Sequence, residues 1–252
     1  VKIEDLRYGE NPHQRAAAYR KSKRSGPSVA HARVLGGKEL SYNNLLDLEA
    51  ALELVREFER PTCVIVKHNN PCGTASGGDL AEAFRGALEG DPVSAFGGIV
   101  AFNKPLDRVA AALMTSKENF FEAIIAPTYH DGAVEALQKL PKWGKNVRIL
   151  EAGGEELGFS ERQTLRGIRD GLLVQSSDWE LWREFQSATT APTEGQKDAL
   201  KFAWAVCKHL KSNAIVLARG HADGASLNGV GAGQMSRVDS VRIAIQKATQ
   251  PV

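Results

Sequence analysis

VIVKHNNPCG, residues 64–73, finishes a wholly apolar run on a lysine and a histidine, then passes at once into Asn, Asn, Pro, Cys and Gly. With Cys63 in front, residues 63–66 read as a short strand with no polar face, and the residues after His68 read as a turn. Upstream, residues 44–59 (NLLDLEAALELVREFE) put Leu45, Leu48, Leu52, Val55 and Phe58 on one helical stripe. Downstream, residues 80–88 return to helical spacing and 98–102 to an apolar strand. The alternation continues with a helix over 108–114, a strand over 123–126, a helix over 133–140, and strands over 147–150 and 171–174. Thr193 and Gln196 form a capping box for a helix that turns Leu200, Ala203, Trp204, Cys207 and Leu210 inward. A strand over 214–218, a glycine-rich turn and a helix near 237–248 complete the pattern. Strands alternating with helices predict a layered α/β fold with a mostly parallel mixed sheet flanked by helices.

In such sheets ligands bind beyond the carboxyl ends of the strands. Lys67 and His68 occupy such an end, and so does Asn213 if its strand is read loosely. A polar, Pro-containing stretch at 186–193 (QSATTAPT) suggests a boundary, with residues 1–188 as a first lobe and 189–252 as the incomplete start of a second. No repeat at solenoid periods is evident.

The totals narrow the function. In 252 residues, 42% are apolar and 25% charged, with a net charge of +2, so nucleic acid is not expected as a partner. The basic run RKSKR at 20–24 sits beside Ser, Gly and Pro and reads as a solvated loop. Three cysteines, an odd number without framework spacing, point to a reducing, cytoplasmic setting. No apolar run is long enough to span a bilayer, and the opening VKIEDLRYGE lacks the features of a signal peptide. The chain opens on Val1, which leaves room for its being a piece of something longer.

Several stretches carry possible chemistry. A histidine beside an ammonium, as in Lys67–His68, can take a proton while the cation steadies an oxyanion. It can equally be a strand end that meets water. His68 with Cys72 does not make a zinc site, since the H-x-E and second-cysteine elements of zinc deaminases are missing and catalytic zinc needs three ligands; no metal is expected. In GVGAGQMSRV (229–238), Gly229, Gly231 and Gly233 let the backbone approach a ligand, or simply form a tight turn. Arg237 falls in the first turn of a helix, where the dipole disfavours a cation unless an anion is to be bound. In LRYGENPHQ (6–14), Arg7 and Tyr8 could hold a phosphate or lie in a surface arm. Asn43 and Asn44 could be a helix cap, and SAFGG (94–98) an ordinary loop.

Taken together and in order, LRYGENPHQ, GKELSYNNLLD, VIVKHNNPCG, DPVSAFGGIVAF, IIAP, GLLVQ, PTE, KSNAIVLA and GVGAGQMSRV resemble one family across about residues 6–250. It is the AICAR transformylase half of the bifunctional purine-biosynthesis protein, whose other half is IMP cyclohydrolase. The resemblance implies lobes of the cytidine-deaminase type and active sites at a homodimer interface. It implies formyl transfer from 10-formyltetrahydrofolate to the 5-amino group of AICAR, giving FAICAR. On the matching positions, His68 becomes the general base and Lys67 the transition-state stabiliser, helped by the Asn213 amide. Arg7, Tyr8, Asn44, Gly97 and Arg237 become ribotide contacts, with Glu122 where some members carry an aspartate, and Val238 lines the folate pocket. Lys67, His68, Arg7 and Asn213 are therefore expected around one hollow.

The resemblance also implies segments absent after KATQPV, so the chain is expected to be a fragment, to be completed by a homodimer mate or partner chain that supplies the rest of the second lobe, or to be a shortened homologue; no cyclohydrolase half is present. An unfinished second lobe would leave strand edges and apolar faces uncovered. Three readings stay open: a transformylase, a ribotide-binding homologue without turnover, and a dimerising scaffold.

Overall fold

The structure, a computed structural model, describes residues 1–24, 26–154 and 163–251. In chain order the elements begin with β1 (Lys2–Leu6), β2 (Ala16–Tyr19), β3 (Arg33–Gly36), α1 (Tyr42–Val55), β4 (Thr62–Lys67) and β5 (Asn70–Ser76). Next come α2 (Leu80–Gly90), α3 (Pro92–Ala95), β6 (Gly98–Phe102), α4 (Arg108–Met114), β7 (Phe121–Ala126), α5 (Ala133–Lys139) and β8 (Arg148–Glu151). The rest are β9 (Gln163–Ile168), β10 (Gly171–Ser176), α6 (Glu194–Lys208), β11 (Ile215–His221), β12 (Gly224–Gly231) and α7 (Arg237–Lys247).

Eight strands form one mixed sheet in the order β11-β12-β5-β4-β6-β7-β8-β3. β4 lies at its heart, and the reason is its side chains. Cys63 and Ile65 face one layer with α2, α4 and α5, while Val64 and Val66 face the other with α1 and α6. All four are fully buried, and each large aliphatic side chain removed from water contributes roughly 1.5–3 kcal/mol. The layered α/β architecture is thus as the sequence predicts. Parallel pairing is narrower than the alternation suggested, being confined to β6–β7 and β7–β8. The other pairings are antiparallel. Two-residue connections at β4–β5 and β11–β12 permit nothing else.

β5 corrects the reading of the residues after His68, Asn69 to Gly73, as a turn. Only His68 and Asn69 turn the chain; Asn70–Ser76 pairs with β4 along its length. Pro71 is tolerated because the register shifts beside it, between Ile65 and Val66. Gly73 is required by packing, since a Cβ there would stand 2.1 Å from the Ala87 carbonyl oxygen of α2.

The glycine-rich segment is likewise a strand, β12, and not a turn. Its register shifts between Leu217 and Ala218 of β11, so Gly229 and Gly231 face the opposite layer from Leu227. There a Cβ would stand 2.2 Å from Ala244 O and 1.9 Å from Ser240 O. These glycines admit α7; of the three, only Gly233, at φ +68°, serves a turn.

One order, helix–hairpin–helix, occurs twice: α1–β4–β5–α2 and α6–β11–β12–α7. Each copy opens on a capping box, Ser41 with Asn44 and Thr193 with Gln196. The second strands of the two hairpins lie side by side, antiparallel, in the common sheet. The α1 stripe packs as expected, with Leu48, Leu52 and Val55 buried and Phe58 stacked 5.1 Å from Phe202. The α6 stripe does not. Phe202, Ala205 and Val206 are buried, whereas Leu200 and Trp204 remain 52% and 63% exposed. α6 is apolar on two faces, and the ring of Phe58 selects the Phe202 face. β11 is an outer strand of the sheet. Among the described residues the β9–β10 ribbon pairs only with itself, and it exposes Leu165, Ile168, Leu172, Leu173 and Val174. Among the described residues no helix is long and apolar enough to cross a membrane.

Candidate active site

The rim of the sheet that carries the end of β4 also carries the starts of β6, β7, β8 and β11 and the end of β12, by their pairing directions. Asn213 therefore lies at the amino end of β11, not at a carboxyl end as expected, yet on the same rim as Lys67 and His68.

A cavity of about 670 Å³ opens on this rim and gathers Arg7, Tyr8, Asn44 and Glu122. Arg7 and Tyr8 follow β1, with the guanidinium carbon 5.7 Å from the phenol ring centroid. Asn44 stands at the third position of α1, where its Oδ1 accepts the Ser41 N–H and its own N–H donates to Ser41 Oγ. Asn44 thus completes the capping box with Ser41, and it also lines the cavity. Glu122, in β7, is ion-paired with Arg148 of β8. Arg148 also donates from Nε and Nη2 to the Glu39 carbonyl at 3.1 Å. Arg7, Lys38 and Arg148 outnumber Glu39 and Glu122 around the cavity, which suits an anionic ligand. Arg148 escaped the sequence reading because only the β7–β8 pairing brings it beside residue 122.

Lys67 and His68 line a second cavity of about 520 Å³ with Asn70, Cys72, Asp91 and Lys247. Lys67 Nζ donates to the Phe96 carbonyl. The next residue, Gly97, has φ +75°, and its N–H donates to the Phe120 carbonyl at 2.7 Å. A Cβ at Gly97 would lie 3.5 Å from Lys67 Nζ and 3.6 Å from the Phe120 ring, and Phe120 lines the first cavity. Lys67, Gly97 and Phe120 thus stand where the two hollows meet. Burial pushes the Cys72 thiol up to about 12, so it is neither a nucleophile nor a thiolate ligand near neutral pH. Among the described residues no group of three or more His, Cys, Asp or Glu is placed to hold a metal ion.

Asn213, Arg237 and Val238 line neither of these cavities, which corrects the expectation of one shared hollow within the chain. The Asn213 side chain donates from Nδ2 to the carbonyls of Gln234 and Met235, both at 3.0 Å. Arg237 and Val238 begin α7 behind the N-cap Ser236 and are exposed. The reason is the strand order: β11 and β8 are six strand spacings apart, roughly 29 Å at about 4.8 Å each. No single nucleotide-sized ligand reaches across.

Asp47 is a neighbour of the Lys67–His68 turn that sequence reasoning did not single out. It stands on α1, and its Oδ1 accepts the Asn69 N–H at 2.7 Å. Burial raises its carboxyl above the ordinary value, outweighing the backbone N–H groups of Asn69 and His68 and the nearby imidazole. The signal was in the sequence, since SYNNLLD places Asp47 one helical turn beyond Asn43, but its target lies across the layer.

Comparison with known proteins gives a consistent result. The family model described as the AICARFT/IMPCHase bienzyme matches residues 1–247. The chain is 46% identical over 248 residues to a protein of Rhodopirellula baltica named bifunctional purine biosynthesis protein PurH, covering 97% of this chain and 46% of that protein. Proteins of the same name from Sorangium cellulosum and Halalkalibacterium halodurans are 49% and 48% identical. They cover 96% and 98% of this chain, and 46% and 47% of their own lengths. The chain spans about half the length of the curated relatives it matches.

Proposed function

The chain belongs to the AICARFT/IMPCHase bienzyme family, and from that premise we propose that it transfers a formyl group from 10-formyltetrahydrofolate to the 5-amino group of AICAR. The product is FAICAR, on the route to IMP. The observation that carries this reading is the junction Lys67–Gly97–Phe120, which sets the cavity of Arg7, Tyr8, Asn44 and Glu122 beside the Lys67–His68 pair. The ribotide phosphate meets Arg7 and Tyr8 in that cavity, while Asn44 and Glu122 meet its polar groups. The amine of this ribotide is conjugated with an electron-poor ring, so it is a weak nucleophile until its proton leaves. His68 accepts that proton as the amine attacks the formyl carbon. Negative charge gathers on the formyl oxygen, and Lys67 donates to it. The tetrahedral adduct then expels the folate nitrogen, which takes up a proton, and the formyl group stays on the amine.

Asn213, Arg237 and Val238 enter this scheme through a second copy. In a homodimer the rim residues Asn213 and Arg237 of one protomer face the ribotide cavity of its partner, and Val238 there lines the folate pocket. On the same reading residues 1–188 and 189–252 are two lobes, which the repeated helix–hairpin–helix order supports. The setting is cytoplasmic, with no metal.

A second reading, ribotide binding without transfer, is favoured by one observation: the cavity holding Arg7, Tyr8, Asn44 and Glu122 is assembled within one chain, whereas the transfer groups are not. Formyl transfer by the purified chain, followed spectroscopically as folate is released, tests the first reading. Calorimetric binding of AICAR without transfer would leave the second. Failure of both would leave a scaffold.

A further inference from the structure

His68 and Asn69 form the two-residue turn between β4 and β5, and both have positive φ, +53° and +60°. Among the described residues the only other non-glycine residue in that region is Asp170. The equivalent hairpin of the second repeat, β11–β12, turns on Ala222 and Asp223, neither of which has positive φ. So the same supersecondary unit occurs twice, and only the copy bearing the Lys–His pair carries the costly turn. Side chains in the left-handed region cost free energy and persist where surrounding contacts hold them.

Two contacts hold this one. From α1, Asp47 Oδ1 accepts the Asn69 N–H at 2.7 Å. From β5, Asn70 Nδ2 donates to the His68 carbonyl at 2.9 Å. α1 itself is fixed by the buried Leu48 and Leu52, so the carboxylate is carried on a rigid element.

We propose that Asp47 is a positioning residue for the transfer: its carboxylate clamps the left-handed His68–Asn69 turn and thereby sets the imidazole at the mouth of the Lys67–His68 cavity. This rests on the formyl-transfer reading. Asp47 touches neither the ribotide nor the folate; it acts through the turn.

The test uses the full chain and pairs kinetics with amide hydrogen exchange. Asp47→Ala removes the acceptor and is expected to lower kcat at least tenfold, since small misplacements of a catalytic group are costly. KM and calorimetric affinity for the ribotide are expected to stay within about twofold. Exchange at the Asn69 amide is expected to quicken at least tenfold. Asp47→Asn keeps an acceptor oxygen and is expected to stay within about threefold of wild type in kcat. Asn69→Gly, which adopts positive φ without steric cost, is expected to recover part of the turnover lost in Asp47→Ala. If Asp47→Ala folds poorly, the Asp47→Asn and Asn69→Gly variants carry the test. Asn69→Gly alone then keeps turnover near wild type, and a tenfold loss in Asp47→Asn overturns the acceptor role. Unchanged Asn69 exchange in Asp47→Ala overturns the clamp, and fast exchange with unchanged kcat overturns its role in transfer. A wild-type chain that performs no transfer overturns the function reading and the role with it, while the exchange result still reports on the clamp separately.

Discussion

Gly231 lies directly beneath Ser240: a Cβ on the strand residue would stand 1.9 Å from the carbonyl oxygen of the helix residue. That contact is backbone on both sides, so no side chain can swing away to relieve it. Gly231→Ala is expected to destabilise the fold by about 1–3 kcal/mol or more through overpacking, read as a lower urea midpoint. Gly195, in the first turn of α6, has nothing within 4 Å of its would-be Cβ. Gly195→Ala is expected to raise the unfolding free energy by about 0.5–1 kcal/mol, read as a higher midpoint.

His68→Ala is expected to lower turnover by roughly two to four orders of magnitude, the usual worth of general-base help. Ribotide affinity by calorimetry is expected to change little, because the imidazole takes its proton in the transition state and does not hold the ground-state ribotide. Near-normal turnover in this variant would remove His68 from the mechanism.

Arg7→Ala is expected to act on binding. A charge-assisted hydrogen bond contributes about 1.5–3 kcal/mol, so ribotide affinity should fall by roughly 10- to 150-fold while the melting temperature holds. Calorimetry on the variant checks this, and an unchanged affinity would move the phosphate elsewhere.

Glu57 joins the two repeats. Its side chain is 1% exposed, ion-paired at 2.8 Å with Lys208 and within hydrogen-bond distance, 2.8 Å, of His209 Nε2, tying the segment after α1 to the end of α6. Glu57→Ala leaves buried positive charge without its counterion and is expected to cost about 3–5 kcal/mol. Equilibrium denaturation of the variant gives the number directly.

Asp91 supplies a pH dependence. Burial alone would raise its carboxyl, but hydrogen bonds from Lys247 and Ser94 hold it below the ordinary value of 3.8. A depressed carboxyl stabilises the fold fully above its unfolded pKa, and the contribution is lost as pH falls through the folded one. Lys247 is 47% exposed on its side chain, so solvent screening limits the pair to about 1 kcal/mol at most. The melting difference between wild type and Lys247→Met should be present at pH 7 and vanish on acidification below the carboxylate range.

The sequence alone determined the layered α/β architecture, because a strand such as 63–66 with no polar face demands cover on both sides. It also determined both capping boxes' helices in outline, and it named Lys67–His68 through residue order. Those are local properties: hydrophobic period, cap chemistry, adjacency. Glycine was read less well. Gly73, Gly229 and Gly231 looked like loop or ligand glycines, yet they sit in strands, because a missing Cβ says only that something comes close and not what. The α6 stripe failed for the same kind of reason: with two apolar faces, the choice fell to Phe58, 144 residues before Phe202. Only the tertiary structure decided that Arg148 pairs with Glu122, that Asp47 reaches the His68–Asn69 turn, and that Asn213 stands strands away from Arg7. Each of these depends on strand order or on one layer meeting another, and contacts between residues distant in the chain leave no period in the sequence to be read.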